Sequence, residues 1–487
     1  MSKRLISLCI AFLFIFSCTI GRCAYINFTD NYKVSDSYNS YTLDIGVLYN
    51  NIYDFKGNKL NNNSKTKVAI IRPDEQSLAE LELLFNNNEI IEIKDELSKG
   101  YPIIKEISKV ANTKHIKIVE RINENSDNML FKHLLDYQSS GLEKYTNKEI
   151  GSLSVNFTVD ALGRMLSGDN DRIIDNNYES EEGVVISVDS DIQRICEDAS
   201  KSLGKGAVVI MDIKNSRVLA SVSVGDDYIN RALSNYAIGS IFKIVVCACA
   251  LENNVNIVYS CTNSIKVGDT SFSCQSNKSH GRQNMKEALA NSCNCYFVNL
   301  ALALGKDKLY KTAKSLGFGE ECEFYDGWRI TNGYFPTLST LESKGQLALV
   351  GFGQGMLTDT PMHFASVVSC IANGGSYNSP TIEFDYTEDN SVLSEKTCKK
   401  LKEYMHYVVT HGTGINADYK GMTAGKTATA QSGIYHNQIE QLNTWFVGFY
   451  PYNNPKYSIV VMKENGNSGA GDCCPIFRTI VEKIENM

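Results

Sequence analysis

A chain of 487 residues with 43% hydrophobic and 21% charged side chains is composed like a globular protein and is long enough for more than one core. A net charge of -7 without any block or stripe of Lys and Arg excludes nucleic-acid binding as a main role.

The N-terminus carries Lys3 and Arg4 ahead of a charge-free run from Leu5 to Ile20, closed by Gly21 and Arg22. At ~1.5 Å per residue that run spans ~24 Å, against a hydrocarbon core of ~30 Å. Residues 1–24 read either as a signal-anchor or as a signal peptide removed near Cys23-Ala24. Lipidation at Cys18 is disfavoured by the bulky Phe16. The basic flank keeps the N-terminus inside, so a single-pass protein with its catalytic part outside the cytoplasm is expected. Of the 15 cysteines, Cys9, Cys18 and Cys23 belong to this leader. Exported cysteines usually pair. Cys247, Cys249 and Cys370, however, sit in apolar helical patterns and read as small core residues.

Residues 25–65, rich in Asn, Asp, Ser and Tyr, are expected to be irregular. KVAIIRP and IKIVE predict strands, and SLAELELLFNN predicts a helix, within a mixed N-terminal pedestal over 25–166. The polar stretch 167–182 (SGDNDRIIDNNYESEE) predicts a linker. Beyond it GVVISVD and GAVVIMDIKNSRVLASVSV predict strands, the latter a hairpin turning at Lys214-Asn215-Ser216. DIQRICEDASKSL between them predicts an amphipathic helix. Helices follow over Ser240–Leu251 and Met285–Leu304, then strands in GMTAGKTATAQS, NTWFVGFYP and YSIVVMKEN, and a closing helix in CCPIFRTIVEKIENM. Strands at both ends of 183–487 enclosing a helical middle predict an α+β domain, one antiparallel sheet flanked by helices.

Three short motifs carry chemistry. Ser240-Ile-Phe-Lys243 opens an apolar helix after Gly239, which places hydroxyl and amine one turn apart on one face. The helix-terminal N–H groups favour an oxyanion, and burial lowers the lysine pKa so that a neutral amine can act as base. Ser64–Lys67 and Ser202–Lys205 share the spacing but lie in polar or amphipathic surface contexts. Ser292-Cys-Asn294 supplies a hydroxyl relay and an amide to position substrate and lysine. Ser37, Ser126, Ser154 and Ser376 repeat this pattern by chance. Lys426-Thr427-Ala428, on a predicted strand, offers an ammonium and a hydroxyl to a carboxylate, and the Thr429 backbone N–H can pair with that of Ser240 as an oxyanion hole. Lys311–Ala313 repeats the triplet, but in a helical pattern. Taken together and in this order, the three motifs form the set of a serine acyl-transferase.

The chain resembles the class B penicillin-binding proteins, in NIYDFKGNKL, FKHLLDY with SSGLEKYTN, VDALGRMLSG, ISVDSDIQRICED, NRALSNYAIGSIFK, EALANSCNCYF, LVGFGQGMLTDTPMHFASVVSCIANGG, VVTHGTG, AGKTATAQ and TWFVGFYPYNNPKYSIVV. The resemblance implies a peptidoglycan D,D-transpeptidase with the serine β-lactamase/transpeptidase fold and no organic cofactor. It implies an acyl-enzyme on Ser240 with D-Ala-D-Ala stem peptides, covalent trapping by penicillin and other β-lactams, and partnership with a glycan polymerase of the division, elongation or sporulation type. By motif match Ser240 is the nucleophile, Lys243 the base, Ser292 and Asn294 relay and positioning groups, and Lys426, Thr427 and Thr429 carboxylate and oxyanion binders. The alternatives are a D,D-carboxypeptidase or β-lactamase, or a catalytically weak structural or sensor protein. Ala428 departs from the family's glycine and could narrow the slot beside Ser240. The pedestal is also short for the family, and no glycosyltransferase-sized region precedes the linker.

A last cluster is Cys261, Asp269, Cys274, His280 and Cys293. Zinc held by Cys274, His280 and Cys293 plus Cys261 or Asp269, a Cys261–Cys274 disulfide, and free thiols all fit the spacing.

Overall fold

The computed structural model describes residues 3–28, 40–60, 63–124, 148–160, 165–166, 171–384 and 390–487. The FKHLLDY and SSGLEKYTN blocks and residues 167–170 of the expected linker lie outside them. Counting described residues, one compact unit is built from those up to 48, 63–123 and 149–180, and the other mainly from 49–60 and 181–487.

In the first unit, helix α1 (Lys3–Phe28) keeps its large apolar side chains from Leu8 to Ile20 57–70% exposed. Among the described residues no helix is long and apolar enough to cross a membrane. Strands β1 (Ser40–Tyr49), β2 (Asn63–Ile71), β3 (Ile103–Glu106), β4 (Lys117–Glu124), β5 (Glu149–Thr158) and β6 (Arg172–Asn176) form two small sheets, ordered β1-β5-β6 and β3-β2-β4. The apolar run in β2 serves both of its faces, as a side-chain period of two requires. Val68 and Ile70 pack with Ile45, Leu153, Val155 and Phe157. Ala69 and Ile71 pack with Ile90, Ile93 and Leu97 of helix α2 (Asn87–Leu97), which Asn86 and Glu89 start with a capping box.

Two expectations are corrected here. The stretch 25–65 is not irregular throughout, because Tyr41, Leu43 and Ile45 alternate and place β1 on the core. The linker contains β6, whose residues 172–176 pair with Ser152–Asn156. Backbone pairing rather than burial forms that edge strand, so its largely exposed side chains show no pattern.

The second unit holds a five-stranded sheet of β7 (Gly206–Asp212), β8 (Val218–Val224), β13 (Ala424–His436), β14 (Ile439–Tyr450) and β15 (Tyr457–Lys463), ordered β8-β7-β15-β14-β13 and antiparallel throughout. β7 and β8 form the expected hairpin, with Ser216 at φ 54 in its turn. Alternate side chains feed two cores. Val208, Ile210, Phe446, Ile459 and Val461 meet helices α3 (Ser190–Ser200) and α9 (Cys474–Glu485). Ala207, Val209, Met211, Trp445, Val447 and Val460 meet α4 (Lys243–Glu252), α6 (Asn294–Leu304) and α7 (Pro361–Asn373) on the other face. This is the α+β architecture of an antiparallel sheet flanked by helices.

The helix expected over Met285–Leu304 is broken into α5 (Met285–Ala290) and α6, with Ser292 between them at a left-handed φ of 52. Strands β9 (Tyr259–Cys261), β10 (Ser264–Val267), β11 (Thr270–Ser273) and β12 (Gly281–Gln283) form two short hairpin-like pairs, β9 with β12 and β10 with β11. Helix α8 (Glu395–His411) packs against β13.

Candidate active site

Ser240 lies half-buried in a 3-10 turn, Gly239–Phe242, that feeds α4. Every residue of α4 from Lys243 to Ala250 is buried, which makes it the central helix of the core and a rigid mount for the turn. Gly239 takes φ 56, and a Cβ there would come 2.9 Å from the Ala430 Cβ, so glycine lets the turn lie against β13. A Cβ on Gly353, in the LVGFGQGM block, would strike the Gly239 carbonyl. Trp445, fully buried in β14, donates its indole N–H to the Ala237 carbonyl at 3.0 Å and ties down the approach to the turn.

The Lys243 amine stands 3.0 Å from Ser240 Oγ, 2.8 Å from the Ser292 carbonyl, 3.2 Å from Ser292 Oγ and 2.7 Å from Asn294 Oδ1. Asn294 is oriented by its Nδ2, which donates to the Ser273 carbonyl at 2.9 Å. The two shortest contacts of the amine are to oxygens that can only accept. A neutral amine has two N–H bonds and one lone pair, so those carbonyls take the N–H bonds and the lone pair is left for a hydroxyl. Burial drives Lys243 from its usual 10.5 down to about 8, opposed in part by the nearby Cys293 and Cys274 thiols. The local break at Ser292 is what brings its carbonyl and its hydroxyl to the same amine.

Lys426, also fully buried, donates to Ser292 Oγ at 3.1 Å and to the Thr427 carbonyl at 2.7 Å. Burial, and then the charge of Lys243, hold its pKa well below the usual lysine range. Ser292 Oγ therefore bridges two amines and can pass a proton between them. Thr427 Oγ1 lies 2.6 Å from Thr413 Oγ1. Thr429 is half-buried, pairs with Thr444 across the sheet, and takes the Gly469 N–H on its Oγ1 at 3.4 Å. Thus Ser240, Lys243, Ser292, Asn294 and Lys426 form one hydrogen-bonded group with Thr427 beside it, while Thr429 lies two residues further along β13. Ala428 is 3% exposed and belongs to the main core.

The family pattern for the penicillin-binding protein transpeptidase domain matches residues 206–482. The chain belongs to that family. It is 31% identical over 371 residues to stage V sporulation protein D of Bacillus subtilis, covering 67% of this chain and 56% of that one. It is 27% identical over 375 residues to the peptidoglycan D,D-transpeptidase MrdA of Haemophilus influenzae, covering 62% of this chain and 56% of that one. The chain thus spans little more than half the length of these curated relatives. The penicillin-binding protein PBP2 of Helicobacter pylori, solved in complex with MreC, shares its fold with a TM-score of 0.66 at 21% identity, over 92% of this chain and 99% of that one.

Two groups in this penicillin-binding protein site had no individual signal in the sequence. Thr413 is visible only as part of VVTHGTG, and Cys295 only as part of EALANSCNCYF. Cys295 Sγ lies 3.6 Å from Cys274 Sγ, at the edge of the cluster of Cys261, Cys274, His280 and Cys293, whose ligand atoms all lie within 4.8 Å of one another. Asp269 is not part of that cluster, since it sits exposed in the turn between β10 and β11. The Cys261–Cys274 disulfide is not formed either. Their sulfurs are 3.7 Å apart, far beyond the ~2.05 Å of a bond. Cys247, Cys249 and Cys370 are buried and unpaired, as core residues. His411 is exposed and stacks on Tyr407.

Proposed function

We propose that this chain is a peptidoglycan D,D-transpeptidase with Ser240 as nucleophile. The reading rests above all on the 3.0 Å contact between Ser240 Oγ and a buried lysine amine whose N–H bonds are occupied by carbonyl oxygens. Membership of the transpeptidase family supports the same reading.

Ser240 Oγ attacks the carbonyl of the penultimate D-Ala of a stem peptide as its proton moves to Lys243. The oxyanion meets the Ser240 and Thr429 backbone N–H groups, and the terminal carboxylate meets Lys426 and Thr427. When the C–N bond breaks, the proton passes by way of Ser292 Oγ to the leaving nitrogen, and D-Ala departs. An amine of a neighbouring stem then attacks the Ser240 ester and forms the cross-link, and the proton returns to Ser240. A β-lactam follows the first half only, because its leaving nitrogen stays attached to the acyl group and blocks the acceptor.

Hydrolytic deacylation needs a carboxylate or other base aimed at water. Among the described residues no Asp or Glu bonds to Ser240, Lys243, Ser292 or Lys426, which argues against a β-lactamase. The exposed apolar side chains of α1, behind Lys3 and Arg4, support a membrane-attached, extracytoplasmic setting. A scaffold protein of the MreC kind and a separate glycan polymerase are the protein partners that this setting favours.

Fluorescent penicillin followed by intact-mass analysis and peptide mapping tests the reading. A stable adduct with the mass of the intact drug on Ser240, lost in Ser240→Ala, is expected. No adduct on the wild-type chain would leave a structural protein, and rapid turnover of drug would make it a hydrolase.

A further inference from the structure

The thiols of Cys261, Cys274 and Cys293 and the imidazole of His280 converge although nothing in the proposed acyl transfer uses them. We propose that these four residues form a closed zinc site that fixes the loop carrying Ser292 and Asn294.

Three of the six edges among the four ligand atoms have the lengths of a zinc tetrahedron, and all four atoms lie within 4.8 Å of one another. Cys261 and Cys274 Sγ are 3.7 Å apart, Cys274 and Cys293 Sγ are 3.7 Å apart, and His280 Nδ1 is 3.6 Å from Cys261 Sγ. Zinc bonds of ~2.3 Å to sulfur and ~2.0 Å to nitrogen, at tetrahedral angles, give edges of ~3.5–3.8 Å. Packing of thiols as small apolar groups would account for the burial but not for a ring nitrogen directed at a sulfur. Pairing into disulfides fails on distance, for Cys295 as for the other three thiols.

Neighbouring groups are arranged as supports of ligands. The Tyr296 backbone N–H, at the start of α6, donates to Cys293 Sγ at 3.4 Å, and Cys293 is the residue that caps that helix. Ser279 Oγ donates to the Cys261 carbonyl at 2.8 Å, which holds the residue before His280 to the strand end that bears Cys261. Such contacts orient ligands and stabilise thiolate. Binding replaces three S–H bonds by three S–Zn bonds and releases three protons to water. With four protein ligands no position is open to substrate, so the ion is structural.

What it would hold together is the catalytic loop. Cys293 lies between Ser292 and Asn294. Cys274 follows Ser273, whose carbonyl orients Asn294. Asn294 Oδ1 in turn takes an N–H of Lys243 at 2.7 Å. A metal bonded to residues 274 and 293 therefore clamps, from both sides, the amide that occupies the base. It also braces Ser292 in a left-handed conformation (φ 52) that a serine seldom adopts unaided.

The test uses the full-length chain, purified in detergent with reductant and without chelator, and its metal readouts do not depend on penicillin. One zinc per chain is expected. Replacement by cobalt should give the charge-transfer and d–d bands of tetrahedral thiolate coordination. Cys274→Ser and His280→Asn should each weaken zinc at least tenfold in competition with a chelating dye, whereas Cys322→Ser, which alters a buried thiol elsewhere, should not. Removing zinc from the wild-type chain should slow penicillin acylation about tenfold, with recovery on adding zinc back. Zinc well below one per chain after loading, a Cys261–Cys274 disulfide by mass, or wild-type affinity in both ligand variants would overturn the site. Should Cys274→Ser fail to fold, the wild-type stoichiometry and cobalt spectrum decide. Unchanged acylation in the zinc-free chain would overturn the clamping role.

Discussion

Two buried cations a dozen residues apart are treated in opposite ways. Arg231 is 1% exposed and fully countered, with Nη1 and Nη2 on the two oxygens of Asp227 at 2.6 and 2.8 Å and Nε on Glu464 at 2.9 Å. Hydrogen bonding to Asp227 raises its pKa further, so it is a permanent charge. Lys243 is 0% exposed and, among the described residues, makes its hydrogen bonds to hydroxyl, carbonyl and amide oxygens, with the Phe297 ring 5.5 Å from the amine and no carboxylate beside it. Burial without a counter-charge favours the neutral form, burial with one favours the ion. The first arrangement pins the segment that leads to Ser240, and the second leaves an amine ready to accept a proton. Tyr236 links the clamp to this segment by donating to Glu464 at 2.7 Å.

Substituting each cation by an uncharged residue of similar length separates these roles. Lys243→Met should reduce penicillin acylation roughly 10³-fold, the range of a lost general base, while the melting temperature falls by less than about 3 °C, because the Ser292 carbonyl and Asn294 Oδ1 lose a donor but no partner carboxylate is orphaned. A large loss of stability instead would make Lys243 a structural group. Arg231→Met should do the reverse. It strands two carboxylates and should lower Tm by about 5 °C, with acylation by the folded fraction within a few-fold of wild type. Equal effects of the two variants on acylation would erase the distinction.

The pH dependence of acylation sharpens the same comparison. With Lys243 at about 8, acylation should rise through that pH and level off above it. The sign for stability follows from the depressed value. Between about 8 and the ordinary 10.5 the unfolded chain binds the lysine proton and the folded chain does not, so this group makes stability rise with pH across that window. Lys426, also depressed, adds in the same direction. Urea midpoints measured across the window for wild type and Lys243→Met should show a smaller slope in the variant.

The sequence made the candidate catalytic group legible because each member needs a particular chemistry in a particular local context. A serine and a lysine one turn apart at the head of an apolar helix, and a lysine on a buried strand, are statements about burial and spacing that patterns carry. The sheet was legible for the same reason, in the apolar runs of β7, β14 and β15. The break at Ser292 was not. MKEALANSCNCYFVNLALALG is apolar almost throughout, and its interruption is tied to tertiary demands, among them the acceptors of Lys243. β6 was hidden because its side chains are mostly exposed, and backbone pairing has no sequence period. The thiol cluster was half legible. Its members could be named, but the choice of Cys261 over Asp269 depends on tertiary placement, since Cys261 ends β9 buried while Asp269 sits exposed in the β10–β11 turn.

Ala428→Gly addresses the smallest feature of the comparison, a methyl group two residues from Lys426 on its face of β13. If that methyl narrowed the cleft, its removal should speed acylation. The surroundings indicate otherwise. Ala428 sits opposite Trp445 in the sheet and its side chain is part of the main core. On the backbone of Ala428 packs Gly469, where a Cβ would come 2.6 Å from the Ala428 carbonyl oxygen. The strand is thus already fitted around the methyl. Deleting it removes about one buried CH₂ equivalent, ~0.8 kcal/mol, and adds backbone freedom worth ~0.5–1 kcal/mol, so stability should fall by roughly 1–2 kcal/mol. Acylation should change by less than about threefold, since neither the Lys243 nor the Lys426 contacts include that carbon. A gain in rate beyond tenfold, measured with a slow chromogenic β-lactam, would place the methyl in the substrate path and make Ala428 a brake on the enzyme.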